Sequence, residues 1–413
     1  MLLLEGVQRV IVTTDDVTRH ATMPAGVDVW DRSRLDEAQR VLAEIPGVTV
    51  LIHDQACAAE LRRGRSRGTI TTPGFRVVIN ERVCEGCGDC GDKSNCLSVQ
   101  PIETPWGRKT QIHQSSCNFD LSCLQGDCPS FAIVTVDEAD RAPERAPMPE
   151  PPDEIAAPNA PLVDPDDFVV RMTGIGGTGV VTVSQIVGTA AMLADRHVRG
   201  LDQTGLSQKA GPVVSDLVIT ADDVAASNHA NASGVDAIIA FDLLVGASEA
   251  NLRGARADRT VVVASTDAVP TGQMVTDPDL GMPSTQSLLD RVGTVTRSVD
   301  SHYLDAGDLA IRLLGATTTA NILLLGAAVQ AGALPIPVEA IERAIELNGV
   351  AVQTNLRAFR WGRAWIVDPT TVRAVAGIPA PPRAESLDEL ITRLRSDLVD
   401  YQSDDYAADF AGE

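Results

Sequence analysis

Residues 83–96 read VCEGCGDCGDKSNC and residues 117–129 read CNFDLSCLQGDCP, and together they hold seven of the chain's eight cysteines. The first run spaces three cysteines as C-x2-C-x2-C, with a fourth cysteine after them. The second run repeats this spacing with Asp120 in place of its middle cysteine. Bacterial proteins with two iron–sulfur clusters use C-x2-C-x2-C-x3-C-P twice, and the fourth cysteine of each run ligates the other cluster. The pattern therefore predicts a small α+β module that holds two iron–sulfur clusters.

The crossing of the fourth cysteines assigns the ligands to two clusters. The expected ligands of a first [4Fe–4S] cluster are Cys84, Cys87, Cys90 and Cys128. The expected ligands of the second cluster are Cys96, Cys117, Asp120 and Cys123. Because a carboxylate is a harder ligand than a thiolate, we expect the second cluster to be either Asp-ligated [4Fe–4S] or [3Fe–4S]. The alternative interpretation of Asp120 is a solvated loop acid, and the step from Cys90 to Cys96 is longer than the standard spacing.

Zinc and disulfides are the alternative explanations of these cysteines. Structural zinc sites usually use two separated C-x2-C pairs, often with histidine, whereas here three thiols share one loop and the nearby histidine is His113. Disulfides require an oxidising compartment, and no signal peptide is predicted at the start of the sequence. Both interpretations are therefore weaker than iron–sulfur ligation. The remaining cysteine, Cys57, is expected to be a small buried residue.

The composition argues against nucleic-acid and membrane partners. The 413 residues carry a formal net charge of -22 at pH 7, which disfavours binding to nucleic acid or to an anionic membrane. No apolar run reaches the length of a membrane-spanning helix, so a soluble, cytoplasmic protein is expected. Aromatic residues make up only 3% of the chain, while alanine, valine and glycine are plentiful. This composition favours α/β packing with closely approaching helices.

The expected fold class is α/β, and the motifs divide the chain into five segments. They are a small α/β piece over 1–75, the iron–sulfur module over 76–138, a proline-rich linker over 139–165, a large α/β domain over 166–380 and an acidic C-terminal helix or tail over 381–413. The linker has eight prolines between residues 142 and 165, and is expected to be extended and stiff rather than packed. The basic run at 62–67 is expected to be a solvated connector, or a docking site for an acidic redox protein.

Apolar periodicity places the secondary structure. Strands are predicted over 7–13, 48–53, 77–79, 131–136, 168–172, 213–219, 237–240 and 260–264. Helices are predicted over 34–43, 180–196, 318–331, 338–346, 351–363 and from Ser386, which forms a capping box with Glu389. Because strands and helices alternate between 166 and 380, the large domain is predicted to have a largely parallel sheet covered on both faces.

The sequence Gly174-Ile175-Gly176-Gly177-Thr178-Gly179 lies between a predicted strand and a predicted helix. Such a loop permits a tight turn and presents the N–H groups of a helix N-terminus to an anion. The dinucleotide fingerprint also needs an acid about twenty residues further on, and Asp202 stands near that place. The ligand is a nucleotide or another phosphate-bearing molecule such as coenzyme A, unless the loop is only a structural turn. Its expected contacts are Gly174, Gly176, Gly177, Thr178, Gly179, Ser207 and Lys209.

Several segments resemble one family, the indolepyruvate ferredoxin oxidoreductases, which are the long fused members of the 2-oxoacid:ferredoxin oxidoreductases. Residues similar to their ferredoxin segment are 83–90 (VCEGCGDC), 94–101 (SNCLSVQP) and 114–118 (QSSCN). Residues similar to their gamma-type domain are 174–182 (GIGGTGVVT), 205–211 (GLSQKAG) and 346–363 (ELNGVAVQTNLRAFRWGR). Residues 1–75, including DQAC at 54–57, resemble the tail of their thiamine diphosphate domain. The resemblance covers nearly the whole chain and implies a ferredoxin-like module followed by a gamma-type domain.

The resemblance implies oxidative decarboxylation of an aryl 2-oxoacid such as indolepyruvate. Electrons would pass through the two clusters to ferredoxin, and the acyl group would go to coenzyme A, for which the glycine loop is the candidate contact. The family also needs a Gly-Asp-Gly motif and a downstream asparagine pair for thiamine diphosphate and magnesium. Here Gly307-Asp308 is followed by Leu309, and Asn321 stands alone. No catalytic residue is therefore expected on this chain, and these cofactors are expected on partner subunits or missing domains of an oligomeric enzyme.

Two other functions remain open at the level of the sequence. One is an NAD(P)-dependent oxidoreductase with a fused ferredoxin module, which affinity for NADH would favour. The other is a non-enzymatic iron–sulfur sensor or scaffold, which would not reduce ferredoxin in any reconstituted mixture. The sequence does not fix the 2-oxoacid, because the substrate pocket lies mostly outside this chain.

Overall fold

The computed structural model describes residues 2–114, 116–135, 148–205, 211–224, 227–277, 279–379 and 385–412. These residues belong to two compact units, one of Met1–Phe75 with Cys117–Asp120 and the other of Arg76–Ser116 with Leu121–Glu413. The division into five segments stays a prediction, and each unit is described by itself below.

The strands and helices predicted from periodicity lie on elements of the same type, and further elements join them. The strands are β1 (Arg9–Thr14), β2 (Val27–Asp31), β3 (Thr49–Asp54), β4 (Phe75–Ile79), β5 (Val99–Thr104), β6 (Gly107–Ile112), β7 (Phe131–Thr135), β8 (Asp167–Ile175), β9 (His197–Thr204), β10 (Pro212–Thr220), β11 (Ala237–Ala240), β12 (Val261–Ser265) and β13 (His302–Leu304). Val136, the predicted end of one strand, lies outside the described residues.

The α-helices range from single turns to more than four turns. They are α1 (Leu35–Ala43), α2 (Ala58–Ser66), α3 (Asp89–Ser94), α4 (Val180–Leu193), α5 (Leu243–Gly246), α6 (Glu249–Leu252), α7 (Gly272–Thr276), α8 (Thr285–Val295), α9 (Ala306–Leu314), α10 (Ala320–Gln330), α11 (Val338–Asn348), α12 (Val352–Val367), α13 (Pro369–Val375), α14 (Leu387–Tyr401) and α15 (Asp404–Gly412). Within the described ranges, none of these helices is both long and apolar enough to cross a membrane.

The first unit is built on a parallel sheet with the strand order β2-β1-β3. Helix α1 packs on it because Ala38 and Leu42, one turn apart, meet Ile11 of β1 in a small core. Two expectations are wrong here. The basic run at 62–67 is mostly within α2 rather than in a connector. Cys57 is exposed rather than buried, because it lies at the surface where the chain turns into α2.

The large sheet of the second unit is mixed rather than largely parallel. Among the described residues, six strands form it in the order β13-β12-β11-β8-β10-β9. The first four are parallel, but β10 runs antiparallel to both β8 and β9. Only residues 205–211 separate β9 from β10, and such a short connection cannot make the crossover that parallel neighbours need. The α/β class is correct, but the expectation of a largely parallel sheet is wrong at the edge formed by β10 and β9.

Apolar side chains cover both faces of this sheet. Along β11, Ala237 and Ile239 enter the larger core cluster, which includes residues of α4 and α9–α13. Ile238 and Ala240 alternate with them and enter a smaller cluster, which includes residues of α5 and α8. Since successive strand residues point to opposite faces, the two clusters lie on opposite sides. The sheet is therefore sandwiched between helices, as the sequence predicted.

Helices α10 and α12 approach closely enough that glycine is required where they meet. A Cβ atom on Gly362 of α12 would overlap the carbonyl of Leu323, and one on Gly326 of α10 would overlap the carbonyl of Phe359. Helix α10 is apolar on all sides, and its residues from Asn321 to Gln330 are buried. This close pair is the kind of packing that the glycine- and alanine-rich composition predicts.

The described part of the proline-rich segment, residues 148–165, is packed, which corrects the expectation of an unpacked linker. It has no helix or strand, so its carbonyl groups are available to side chains. Gln330 Nε2 donates to the carbonyls of Ala156 and Ala157, and Arg363 Nη2 donates to that of Ala156 at 3.0 Å. Gln330 and Arg363 are themselves buried. The segment therefore satisfies buried donors of α10 and α12.

The described C-terminal residues, 385–412, form the two helices α14 and α15. Helix α14 begins with the predicted capping box, in which the Ser386 N–H donates to Glu389 Oε2 at 2.8 Å and the Glu389 N–H donates to Ser386 Oγ at 3.3 Å. Asp397 on this helix pairs with Arg82, whose Nη2 lies 2.8 Å from the carboxylate. Phe410 of α15 makes an edge contact with Trp106. The acidic end of the chain thus contacts Arg82 and Trp106 of the same unit.

Candidate metal centre and glycine loop

Four thiols line one cavity in the second unit. The cavity has a volume of about 310 Å³, and the thiols are those of Cys84, Cys87, Cys90 and Cys128. They meet because β4 and β7 pair, so that the chain just after β4 and the chain just before β7 lie side by side. The hydrogen bond from the Asn80 N–H to the Ser130 carbonyl, at 2.8 Å, extends this pairing towards the cavity. These are the four cysteines that the sequence assigned to the first cluster.

The loop that carries three of these thiols needs glycine at two positions. Gly86 has a φ of 71° and Gly88 a φ of 83°, both in the left-handed region that side chains disfavour. The Gly86 N–H points at Cys84 Sγ, 3.4 Å away. A Cβ atom on Gly86 would overlap the carbonyl of Arg108 on the neighbouring hairpin. The loop geometry therefore holds a donor on one of the candidate ligand sulfurs.

The second cysteine loop repeats this backbone geometry without glycine. Phe119 has a φ of 57° and Leu121 a φ of 66°, at the positions that match Gly86 and Gly88. The Phe119 N–H points at Cys117 Sγ, 3.5 Å away. Non-glycine residues in this region carry strain that the surroundings must offset. Because the two loops share this backbone geometry, Asp120 occupies the position in the second loop that Cys87 occupies in the first. The spacing of the cysteines had only suggested this equivalence.

The ionisation of the first thiol set reflects its crowding. Burial raises the pKa of the Cys90 thiol, and the neighbouring thiols of Cys84 and Cys87 raise it further. Since thiolates are the forms that bind metals, a bound cation would offset this penalty. Over the described ranges, no group of three or more His, Cys, Asp or Glu side chains that could hold a metal ion is found. The four residues that line the cavity do carry thiols, the ligand type that iron–sulfur clusters use.

The second set of predicted ligands is divided between the two units. Cys117 and Asp120 belong to the first unit, while Cys96 and Cys123 belong to the second. Their shared ligation therefore stays a prediction. Asp120 is not simply solvated, because its Oδ2 accepts a hydrogen bond from Arg32 Nη2 at 3.1 Å.

The glycine loop joins the end of β8 to the start of α4. Gly177 has a φ of 84°, and Gly179, the residue before the helix, has a φ of 98°. Thr178 Oγ1 donates to the Ile175 carbonyl at 2.7 Å, which closes the turn. Gly174 and Gly176 lie on the strand side of the turn, where the Gly176 N–H donates to the Gly211 carbonyl. Ser207 and Lys209, the other predicted contacts, lie outside the described residues.

Sequence reasoning missed a residue that fixes this loop. Asn321 is buried at the start of α10, and its Nδ2 donates to the Thr178 carbonyl at 3.1 Å. The available signal was a single amide near the start of an otherwise apolar run. Asn321 thus has a structural partner in the glycine loop.

The position of Asp202 does not fit the dinucleotide fingerprint. In that fold the acid ends the strand next to the glycine-loop strand. Here β10 lies between β8 and β9, and Asp202 on β9 faces β10. Its Oδ1 accepts a hydrogen bond from Ser215 Oγ at 2.6 Å. The structure therefore gives no support to the nicotinamide-dependent alternative.

Asp242 follows β11 and was not singled out by the sequence. Its Oδ1 accepts the N–H of Val245 and its Oδ2 accepts the N–H of Val269, each at 2.8 Å. Burial raises the pKa of this carboxyl from 3.8 to about 6, and the negative charge of Asp267 adds to the rise. The two accepted hydrogen bonds oppose the rise, so they give Asp242 a structural role.

Asp242 is expected to make the protein less stable as pH rises. Its stabilising protonated form is fully present below the unfolded pKa of 3.8 and is lost as pH passes through about 6. At about 1.4 kcal/mol per pKa unit, the full loss is about 3 kcal/mol, and nearly all of it has occurred by pH 7. Anaerobic chemical unfolding of the wild type and of Asp242→Asn at several pH values would measure it. We expect the wild type to lose stability relative to the variant as pH rises; parallel curves would contradict the assignment.

The second unit thus combines a thiol-lined cavity with a glycine loop on a mixed α/β sheet. Residues 169–365 match the family described as pyruvate ferredoxin/flavodoxin oxidoreductase. The match covers just under half of the chain and bears out the resemblance found in the sequence.

Curated relatives and solved structures match about half of the chain. The indolepyruvate oxidoreductase subunit IorB of Pyrococcus horikoshii is 28% identical over 202 residues, which are 48% of this chain and 94% of the relative. The subunit of the same name from Methanothermobacter thermautotrophicus is 25% identical over 201 residues, 48% of this chain and 96% of the relative. The pyruvate oxidoreductase subunit PORC of Thermotoga maritima is 22% identical with a TM-score of 0.35, covering 48% of this chain and 96% of that chain. The gamma subunit of a keto/oxoacid ferredoxin oxidoreductase from Geobacter sulfurreducens is 19% identical with a TM-score of 0.35, covering 48% and 98%.

Proposed function

We propose that the chain is the electron-transfer and gamma-type portion of an indolepyruvate-type 2-oxoacid:ferredoxin oxidoreductase. The observation that carries the proposal is the cavity lined by Cys84, Cys87, Cys90 and Cys128, in the same compact unit as the domain of the oxidoreductase family. Iron–sulfur clusters would supply one-electron transfer there. The name shared by the curated relatives, indolepyruvate oxidoreductase subunit, favours an aryl 2-oxoacid as the source of the electrons.

The rest of the reaction is assigned to other components. Since the sequence lacks the thiamine-binding motif, thiamine diphosphate and magnesium are assigned to partner subunits or to domains outside this chain. Ferredoxin is the proposed electron acceptor and coenzyme A the proposed acyl acceptor. The chain's own contribution to coenzyme A is the glycine loop, in which Thr178 and Asn321 hold the turn after β8 in place. Asp120 is the proposed fourth ligand of the second cluster.

Cysteine variants test the cluster assignment. We expect anaerobically purified protein to hold two clusters by iron and sulfide analysis and by EPR before and after reduction with dithionite. Cys84→Ala and Cys128→Ala should lose the same cluster, although the two residues are far apart in sequence. Cys96→Ala should lose the other cluster, and Cys57→Ala, the matched control, should keep both. A zinc-loaded, EPR-silent protein would overturn the proposal.

Reconstitution tests the function itself. Iron-loaded chain mixed with a thiamine-binding partner, indolepyruvate, coenzyme A and ferredoxin should reduce ferredoxin, whereas the chain with thiamine diphosphate alone should not. Activity of the chain alone would show that the thiamine site is not missing. Loaded clusters with no ferredoxin reduction in the complete mixture would favour the sensor or scaffold. Saturable NADH binding would restore the nicotinamide alternative.

A further inference from the structure

The loop that carries Asp120 is strained, and side chains of the first unit hold it. Phe119 has a φ of 57°, and a residue other than glycine keeps such a conformation only where its surroundings fix it. Arg65 of α2 supplies two of these contacts. Its Nη1 donates to the Asn118 carbonyl at 3.0 Å, and its guanidinium lies 5.1 Å from the centre of the Phe119 ring. Phe75 meets the same ring edge-on, with centroids 6.0 Å apart. The loop backbone is therefore fixed within the first unit.

Arg32 fixes the side chain of Asp120 in the same unit. It follows β2, where Asp31 Oδ1 accepts the Ser33 N–H at 2.9 Å and so stabilises the turn that carries it. Arg32 Nη2 donates to Asp120 Oδ2 at 3.1 Å. Among the described carboxylates, Asp120 is the one with which Arg32 forms an ion pair. The carboxylate at the position equivalent to Cys87 is therefore held by a single arginine.

This ion pair has the form of the contact that orients a ligating carboxylate. Carboxylates that bind metals are themselves hydrogen-bonded, and losing that partner typically lowers metal affinity by about 10–100-fold. Ligation of iron needs one carboxylate oxygen. A guanidinium often bonds both oxygens of a carboxylate at once, but Arg32 bonds Asp120 through Oδ2 alone. The pair thus orients Asp120 without using both of its oxygens.

We propose that Arg32 is the positioning residue for Asp120 as a ligand of the second cluster, and that it sets how firmly one iron of that cluster is held. The inference rests on the proposed function, which assigns Asp120 to this cluster. Because a carboxylate is a harder ligand than a thiolate, the iron bound to Asp120 is the one expected to leave. Its retention then depends on a residue 88 positions away from the ligand and outside the cysteine-rich segment.

Removal and return of this iron in the full chain, purified anaerobically, tests the proposal. One-electron oxidation of [4Fe–4S]²⁺ by ferricyanide releases one ferrous ion and leaves [3Fe–4S]⁺, which gives an EPR signal. Dithionite returns one electron, and the resulting [3Fe–4S]⁰ takes up added ferrous iron to restore [4Fe–4S]²⁺. We expect Arg32→Ala to bind the returning iron at least about tenfold more weakly than the wild type, and Asp120→Ala to bind none at the same concentrations.

Asp120→Cys separates positioning from a general structural role. A thiolate replaces the carboxylate in this variant, so no side chain is left there for Arg32 to orient. It should keep all four irons of the second cluster after ferricyanide, and should do so equally well when combined with Arg32→Ala. Loss of the fourth iron from the double variant would show that Arg32 acts on the loop as a whole and would overturn the proposal.

Arg34→Ala is the matched control. Arg34 lies two residues further on and pairs with Glu37 at 2.8 Å, so this variant should bind the iron like the wild type. Exposed ion pairs contribute little to stability, so Arg32→Ala is expected to fold, and thermal unfolding checks this. Arg32→Lys keeps a charged donor and should bind the iron with intermediate affinity, which keeps the test valid if Arg32→Ala does not fold.

The outcomes distinguish this inference from the proposed function. Unchanged iron affinity in Arg32→Ala, with the fourth iron missing from Asp120→Ala, would overturn the inference alone. Undiminished affinity in Asp120→Ala would overturn the assignment of Asp120 as a ligand, and the inference with it. Protein that holds no second cluster would do the same.

Discussion

Replacing Gly362 by alanine is expected to destabilise the second unit by about 3 kcal/mol or more. The new methyl group on α12 would overlap the main-chain carbonyl of Leu323 on α10. A carbonyl inside a buried helix cannot rotate away as a side chain can, so the two helices must separate along their contact. Gly326→Ala places a methyl against the Phe359 carbonyl from the other side and should have a similar effect. Denaturant unfolding under anaerobic conditions measures both costs.

Gly293→Ala is the matched control for these substitutions. Gly293 lies within α8, and a Cβ atom there would meet its nearest neighbour, Ser298 Cβ, at an ordinary contact distance of 3.6 Å. Alanine should therefore stabilise that helix by about 0.5–1 kcal/mol. The same chemical change is thus expected to have opposite signs at the two positions. Equal and small effects at Gly362 and Gly293 would show that α10 and α12 are not in close contact.

Gly86→Ala is expected to abolish the first cluster. The residue is in the left-handed region, which costs alanine about 1–2 kcal/mol, and its methyl group would overlap the Arg108 carbonyl. That carbonyl cannot yield easily, because the Arg108 side chain is anchored at 2.6 Å to the carbonyl of Met274 and at 3.0 Å to that of Asp277. The loop that places Cys84 and Cys87 would therefore change its path. Iron and sulfide per chain should fall by about half, if two clusters of equal size are present.

Gly107→Ala is a control that separates the effect of backbone strain from that of steric overlap with the Arg108 carbonyl. Gly107 lies next to Arg108 and has a φ of 85°, but a Cβ atom there would have nothing within 4 Å. This variant should be strained by a similar amount, yet it should keep full iron and sulfide and an unchanged EPR spectrum. If Gly86→Ala also kept both clusters, the cysteine loop would not have the geometry described here.

The sequence predicted the elements whose signal is local. Most apolar strands and helices of the large domain were found because their residues repeat with the period of the element, as along α11 and α12. The strand direction at β10 was missed, because the shortness of the connection between β9 and β10 was not weighed against the crossover that parallel neighbours need. The hairpin of β5 and β6 was missed as well, since its residues are mostly polar and only half-buried. These features follow from tertiary pairing rather than from local pattern.

The candidate site shows the same division between local and tertiary information. The cysteine spacing was sufficient to predict that Cys128 lies beside the first loop, because in this motif the fourth cysteine of each run ligates the other cluster. Spacing could not reveal the ion pair of Asp120 with Arg32, since the two residues are far apart in the chain. It also gave no indication that Asn321 holds the glycine loop.

The packed proline-rich segment changes where the large α/β domain should be cut if it is to be produced on its own. A fragment that begins at residue 166, where the periodic strand and helix pattern starts, would lack the carbonyls of Ala156 and Ala157 that accept from Gln330 and Arg363. Each buried donor left behind would cost about 1–3 kcal/mol. A fragment that begins at Met148 keeps these acceptors, so its boundary follows the hydrogen bonds of the fold rather than the composition of the sequence.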